Sequence, residues 1–273
     1  MTPNIWPNSF GLHSFSAGGV GSFYFFKNFK LLIDIGEWHP ILETAQHVFL
    51  THGHFDHISN LFRLLSYRRQ TLTIYAHPGM LPNIAKACRA LEELNGFDPW
   101  GYQWQDLAQD INFEIGKNLL MQSIPLVHHK YSNACLIWER RKFLQERYKN
   151  LDTKQIQSLV LEGHNVTSEK LSPIIFCSGD TGSDVFQIKE MFEAEVCVLE
   201  CTFWDDEYRD SAKKWNHLHI YDILDVASQF DNRILLLSHI SNRYSIEFIK
   251  ELSQKLRNAL HKNVLLLLDI PYG

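Results

Sequence analysis

The chain has 273 residues, 45% of them hydrophobic and 21% charged, which excludes a disordered polymer and suits one large folded domain. No apolar run reaches the ~18 residues of a membrane helix, and the opening MTPNIWPNSF carries no secretory signal pattern. The net charge of −5, from 26 basic and 31 acidic residues, excludes binding nucleic acid through overall charge. A polyanion must therefore meet a local patch.

Taken in chain order, Ser22–Phe26 and Lys30–Ile35 read as a hairpin of short apolar strands flanked by glycines. Gly18-Gly19-Val20-Gly21 has no following Gly-Lys-Ser/Thr and reads as a turn rather than a phosphate loop. Gln46–Thr51 is a further strand, Ile58–Tyr67 has helical spacing, Thr71–Ala76 is a strand and Pro82–Leu94 a helix. Leu119–Val127 and Ala134–Trp138 read as paired strands. Beyond them, strands Ile174–Cys177, Val196–Thr202, Ile234–Leu237 and Val264–Leu268 alternate with helices near Val185–Phe192, Ile220–Phe230 and Ile246–Leu260. The pattern by itself supports a mixed α/β protein; two β-rich halves with helices outside would make it a four-layer αββα sandwich. The whole of 1–273 reads as a single domain with a short basic insert at about 139–170. Within it Arg140–Lys149 holds five basic residues and one acidic residue, a pattern expected of a solvated helix face.

The five cysteines are odd in number and form no CxxC pair, which is expected of free thiols in a cytoplasmic protein. On that reading the Asn165-Val166-Thr167 sequon has no consequence.

Histidine is abundant, at 14 residues, and the chemistry lies in where they fall. Thr51-His52-Gly53-His54-Phe55-Asp56-His57 places three histidines and an aspartate directly after an apolar strand. Imidazole and carboxylate without thiolate is the donor set of a hydrolytic metal site, and this spacing suits two close ions better than one.

This motif resembles the HxHxDH signature of the metallo-β-lactamase superfamily, and Leu31-Leu32-Ile33-Asp34-Ile35-Gly36 resembles the strand with D-x-G that precedes it there. The resemblance implies a metallo-β-lactamase fold and two zinc ions, with manganese or iron as alternatives. It assigns His52, His54 and His128 to the first ion, Asp56, His57 and His239 to the second, and Asp180 to the bridge. Strand alternation allows either His128 or His129 to face the metals, and the motif register favours His128.

Leu199-Glu200-Cys201-Thr202, Asn216-His217-Leu218-His219 and Ser238-His239-Ile240-Ser241-Asn242-Arg243-Tyr244 extend the likeness to the short form of the ribonuclease Z family, which trims transfer-RNA precursors at the 3′ end. That resemblance implies a metal-dependent hydrolase acting as an endonuclease on precursor tRNA, as a cytoplasmic homodimer away from membranes. Asp56 would orient or deprotonate the attacking water, and His217, polarised by Glu200, would protonate the leaving 3′-oxygen. His219 is divided between a capping and a catalytic role. His13, His39, His47, His77, His164 and His261 read as structural or solvated. The family's long exosite arm is missing: the interval from His129 to Gly179 holds only the basic segment. A hydrolase of a small phosphodiester or thioester is therefore the alternative, and a catalytically silent RNA-binding relative is the third reading.

Overall fold

The computed structural model describes residues 10–67, 71–96, 101–107, 112–260 and 264–266. Two mixed sheets lie face to face. The first runs in simple order through β1 (Leu12–Ala17), β2 (Gly21–Phe26), β3 (Leu31–Ile33), β4 (His47–Phe49), β5 (Leu72–Ala76) and β6 (Tyr102–Asp106). The second comprises β7 (Asn112–Gly116), β8 (Leu119–Pro125), β9 (Asn133–Leu144), β10 (Thr167–Cys177), β11 (Val196–Glu200), β12 (Ile234–Ser238) and β13 (Val264–Leu266), also in sequence order across the sheet.

Side-chain alternation along the strands produces the layers. Ile33, Phe49 and Tyr75 point inward and meet Cys135, Ile137, Val198 and Leu236 of the opposite sheet. Their neighbours Leu32, Val48 and Ile74 point outward against Leu61, Leu64, Ile84 and Cys88 of the helices Leu61–Tyr67 and Leu81–Asn95. On the other side Leu136, Phe176, Leu199 and Leu235 pack against Ile220, Ile223, Ile249 and Leu256 of the helices Ile220–Asp225 and Ile246–Leu260. Three apolar layers between four tiers of structure make the expected αββα sandwich. The five cysteines are buried free thiols. Among the described residues no helix is long and apolar enough to cross a membrane.

Several expected elements differ at their ends. Ile58–Tyr67 divides into helices Phe55–Ile58 and Leu61–Tyr67, because the metal-motif loop itself starts the first turn. Val185–Phe192 divides into a 3₁₀ turn, Ser183–Gln187, and the helix Lys189–Glu193. The last two residues of the expected strand Val264–Leu268, and His261, lie outside the described residues.

The basic segment is not the expected helix: its first half is strand and only Glu146–Tyr148 forms a 3₁₀ turn. Arg140–Leu144 continues β9, with Arg140, Arg141 and Lys142 opposite Leu171, Lys170 and Glu169 of β10. The two strands project as a hairpin whose connection carries the exposed helix Thr153–Leu161, capped reciprocally by Asp152 and Gln155. Most of its cations are already matched by acids of this chain: Arg140 by Glu114, Arg141 by Glu139 and Glu195, Lys142 by Glu169 and Lys149 by Glu146.

The fold delivers one edge to chemistry. β10, β11 and β12 are parallel, as are β3, β4 and β5, so their C-terminal ends emerge at a common rim, the usual ligand position of such sheets. Gly36, just past β3, is pressed against the metal-motif loop. A Cβ there would fall 1.7 Å from the Asp56 carbonyl oxygen. Gly36→Ala is expected to destabilise the protein by about 1–3 kcal/mol or more and to weaken metal binding with it. Gly101→Ala, where a Cβ meets open space, is expected to change neither in a thermal melt or a metal titration.

Candidate metal centre and active site

Each sequence-predicted ligand stands at a strand end. His52, His54, Asp56 and His57 follow β4, His128 follows β8, Asp180 follows β10 and His239 follows β12. Donor atoms form three overlapping groups, each within 4.8 Å: His52, His54, His128 and Asp180; Asp56, His57 and His239; and Asp180 and His239 with His217. Asp180 lies between the first two. Its Oδ2 is 3.6 Å from His52 Nε2 and 3.7 Å from His128 Nε2, while its Oδ1 is 3.3 Å from His57 Nε2 and 3.4 Å from His239 Nε2.

The imidazoles are aimed from outside. His57 Nδ1 donates to Asp34 Oδ2 at 2.6 Å, and His128 Nδ1 donates to the Asn216 carbonyl at 2.9 Å. His52 Nδ1 meets Thr51 Oγ1 at 3.0 Å, and His239 Nδ1 meets Thr202 Oγ1 at 2.8 Å. Each Nδ1–H is thereby occupied, and each Nε2 lone pair points into the cluster. Such outer partners fix the tautomer and orientation of metal-binding histidines.

Two carboxylates organise this outer layer in parallel ways. Asp34 accepts from the Thr51 amide and hydroxyl and from His57, while the same hydroxyl contacts His52. Glu200 accepts from the Thr202 amide and hydroxyl and from His217 Nδ1 at 2.7 Å, while that hydroxyl contacts His239. Both acids are buried. Asp34 and His239 also take left-handed backbone angles, with φ of 58° and 56°, a strain that persists only where surrounding contacts hold it.

A divalent cation fits this arrangement. His52 Nε2, His57 Nε2 and Asp180 Oδ1 are buried and without a hydrogen-bond partner among the described residues. Orphaned polar atoms cost about 1–3 kcal/mol each, and here all three belong to the convergent donor set, which an ion would satisfy. Burial pulls the His52 imidazole well below its ordinary pKa, with the His57 charge acting in the same direction. Burial of Asp56 would raise its carboxyl, but the hydrogen bond from His239 and the charges of His57 and His239 outweigh it and hold the group at about 2.

His217 lies at the edge of the cluster, its ring 4.5 Å from that of His128 and 5.4 Å from that of His239. Burial opposes its protonation, yet the Glu200 charge and hydrogen bond prevail and raise it to about 9. His219 resolves as a cap: its Nδ1 accepts from the Tyr221 amide at the start of the helix Ile220–Asp225. His129 stays outside the convergent donors, 5.1 Å ring to ring from His54. His39 caps a 3₁₀ turn and His47 meets the Tyr75 hydroxyl.

Sequence reasoning passed over the threonine hydroxyls and the Asn216 carbonyl. Thr51 immediately precedes His52 and Thr202 follows Glu200 by two, so both were adjacent to recognised residues. Side-chain roles of this kind emerge only once distant strand ends meet.

A sandwich whose strand ends bring histidines and aspartates to one convergent cluster defines a metal-dependent hydrolase. The chain belongs to the beta-lactamase superfamily: the family described as "Beta-lactamase superfamily domain" matches residues 36–240. Among its sequence relatives, the chloroplastic tRNase Z TRZ2 of Arabidopsis thaliana is 26% identical over 265 residues, covering 94% of this chain and 75% of the relative. Ribonuclease Z of Staphylococcus haemolyticus is 27% identical, covering 88% and 86%. Of solved structures, the metallo-β-lactamase fold protein YhfI from Bacillus subtilis superposes with a TM-score of 0.63 at 17% identity, covering 92% of this chain and 93% of that one. The human short-form tRNase Z gives 0.58 at 18%, covering 85% and 93%. These likenesses establish the fold.

The hydroxyl bridge is directly testable. Thr202→Val keeps the volume but removes the group joining Glu200 to His239, and metal affinity is expected to fall about 10–100-fold. Thr202→Ser should restore it in a chelator-competition titration. Equal affinity for all three proteins would show that the hydroxyl orients nothing.

Proposed function

We propose that the protein is a zinc-dependent endoribonuclease of ribonuclease Z type that trims the 3′ end of precursor tRNA. The observation that carries this reading is the His217–Glu200 pair, a buried carboxylate accepting from the imidazole Nδ1 at 2.7 Å beside the convergent metal ligands. Simple hydrolysis of an activated ester does not require such a proton donor, whereas expelling a ribose oxygen does. The names of the sequence relatives, tRNase Z and ribonuclease Z, support the same reading. A homodimer in the cytoplasm completes the proposal, and the five buried, unpaired thiols agree with a reducing compartment.

In this assignment His52, His54 and His128 hold one zinc, Asp56, His57 and His239 hold a second, and Asp180 serves both. Bound there, the ions would supply positive charge to the attacking and leaving oxygens of an in-line phosphoryl displacement.

The remaining work falls to the chain. Asp56 is ionised at neutral pH and its Oδ2 is held by the Gly19 amide at 3.0 Å. It would orient the attacking water or take its proton. His217 donates its proton to the departing 3′-oxygen, and Glu200 keeps the ring charged and turned toward the cluster.

A second reading, hydrolysis of a small phosphodiester or thioester, is favoured by one observation. The hairpin that occupies the place of an exosite arm spends most of its basic residues on ion pairs within this chain, leaving little charge for a large RNA.

His217→Ala separates the two. It is expected to lower precursor-tRNA cleavage by about 10²–10⁴-fold, the worth of a positioned acid. Hydrolysis of bis(p-nitrophenyl) phosphate should fall far less, because p-nitrophenolate leaves without a proton. Equal loss on both substrates would return His217 to a role in metal binding.

A further inference from the structure

The loop that presents His128 also walls a second feature. On its far side lies a cavity of about 220 Å³ lined by residues that include His77, Leu107, Ser123, Lys130, Tyr131 and Asn133. Aromatic rings connect it to the metal cluster. From His54 the centroids step 5.1 Å to His129, 6.2 Å to Tyr131 and 4.7 Å to His77, the last two stacked at 25°.

This arrangement is held in place. The Asn133 side-chain amide donates to the Tyr131 carbonyl at 2.9 Å, and the Ser132 hydroxyl accepts from the His129 amide at 3.0 Å. The Tyr131 ring lies so close over Gly79 that a Cβ there would sit 2.3 Å from it. His77 Nδ1 accepts from the Gly79 amide, which fixes the lower ring of the stack. Lys130 is exposed and its ammonium lies over the Tyr131 ring, 5.1 Å from the centroid, so a base stacking there would take the place of the ammonium as the flexible side chain swings out to a phosphate.

We propose that this cavity is a nucleotide subsite, in which the base beside the scissile phosphate stacks on Tyr131 and the Lys130 ammonium meets that nucleotide's phosphate. The inference rests on the ribonuclease reading and gives that site its path for the strand. Three features point to this ligand class. The recess is smaller than the ~300–1,000 Å³ of sites for drug-sized molecules, so it suits a single ring system. Its aromatic wall offers the sequence-tolerant platform on which single-stranded bases stack. Its cation is a point charge suited to phosphate.

The test is equilibrium binding of AMP and of ribose 5-phosphate to the metal-loaded protein, measured by calorimetry. The two probes share a phosphate and differ in the base. AMP is expected to bind about 5–150-fold more tightly, the worth of one stacked base. Tyr131→Ala should abolish that difference and Tyr131→Phe should keep it, while Lys130→Ala should weaken both probes alike. Equal affinities in the parent protein, or a difference that survives Tyr131→Ala, would overturn the subsite.

The ribonuclease reading fails separately. Discrimination through Tyr131 in a protein that cleaves no precursor tRNA would retain the subsite and remove the RNA substrate. If the RNA is cleaved, Tyr131→Ala should raise its KM by a similar factor with kcat largely kept, and an unchanged KM would take the subsite off the strand's path.

Discussion

Everything in this molecule is arranged around imidazole nitrogens that point at one another. His52, His57, His128 and His239 each spend Nδ1 on an outer hydrogen bond and turn Nε2 toward the Asp180 carboxylate. Packed without an ion, the buried members leave polar atoms unsatisfied and electrostatically crowded, which a marginally stable fold does not tolerate without cause. Cation binding relieves that cost. The outer bonds keep the lone pairs convergent, so little reorganisation remains when the ion arrives. The same carboxylate, hydroxyl and imidazole sequence appears twice, once around Asp34 and once around Glu200. The second copy differs in its direct partner: His57 faces Asp56 and His239, whereas His217 lies between the His128 and His239 rings with its Nδ1 on Glu200.

The fold supplies this geometry through strand direction. Parallel strands end at one rim, so residues separated by nearly two hundred positions, from His52 to His239, reach one point without long loops. Backbone strain is placed there as well. Left-handed angles at Asp34 and His239 turn a carboxylate and an imidazole off the ends of their strands. Gly36 lets the β3 exit close against the carbonyl of Asp56. Stability and function therefore share positions at the rim, and a change that loosens the β3 exit reaches the ligands directly.

How much could be read beforehand followed the strength of local pattern. The buried strands β3, β4, β5, β11 and β12 announce themselves as apolar runs, and the helix Ile246–Leu260 by its periodicity over the stated span. β1, β6 and β7 are harder to read because they are short, polar and largely half-exposed; β6 and β7 do alternate, Tyr102 with Trp104 and Phe113 with Ile115, but over only five residues each. Arg140–Leu144 was misread as helical because charge density masks strand register; pairing with β10 decides its form. Metal ligands stood out because histidine and aspartate cluster within one motif and recur at strand ends. The threonine hydroxyls, the Asn216 carbonyl and the Tyr131 shelf left no such trace, since each acquires meaning only from a partner distant in sequence.

The convergence of these donors on two ions sharing one carboxylate is the central claim. Anomalous diffraction at the zinc absorption edge, on crystals of the zinc-loaded protein, tests it most directly. The expected map has two peaks, one among His52, His54 and His128 and one among Asp56, His57 and His239, with Asp180 between them. A single peak, or none under saturating zinc, would contradict the account.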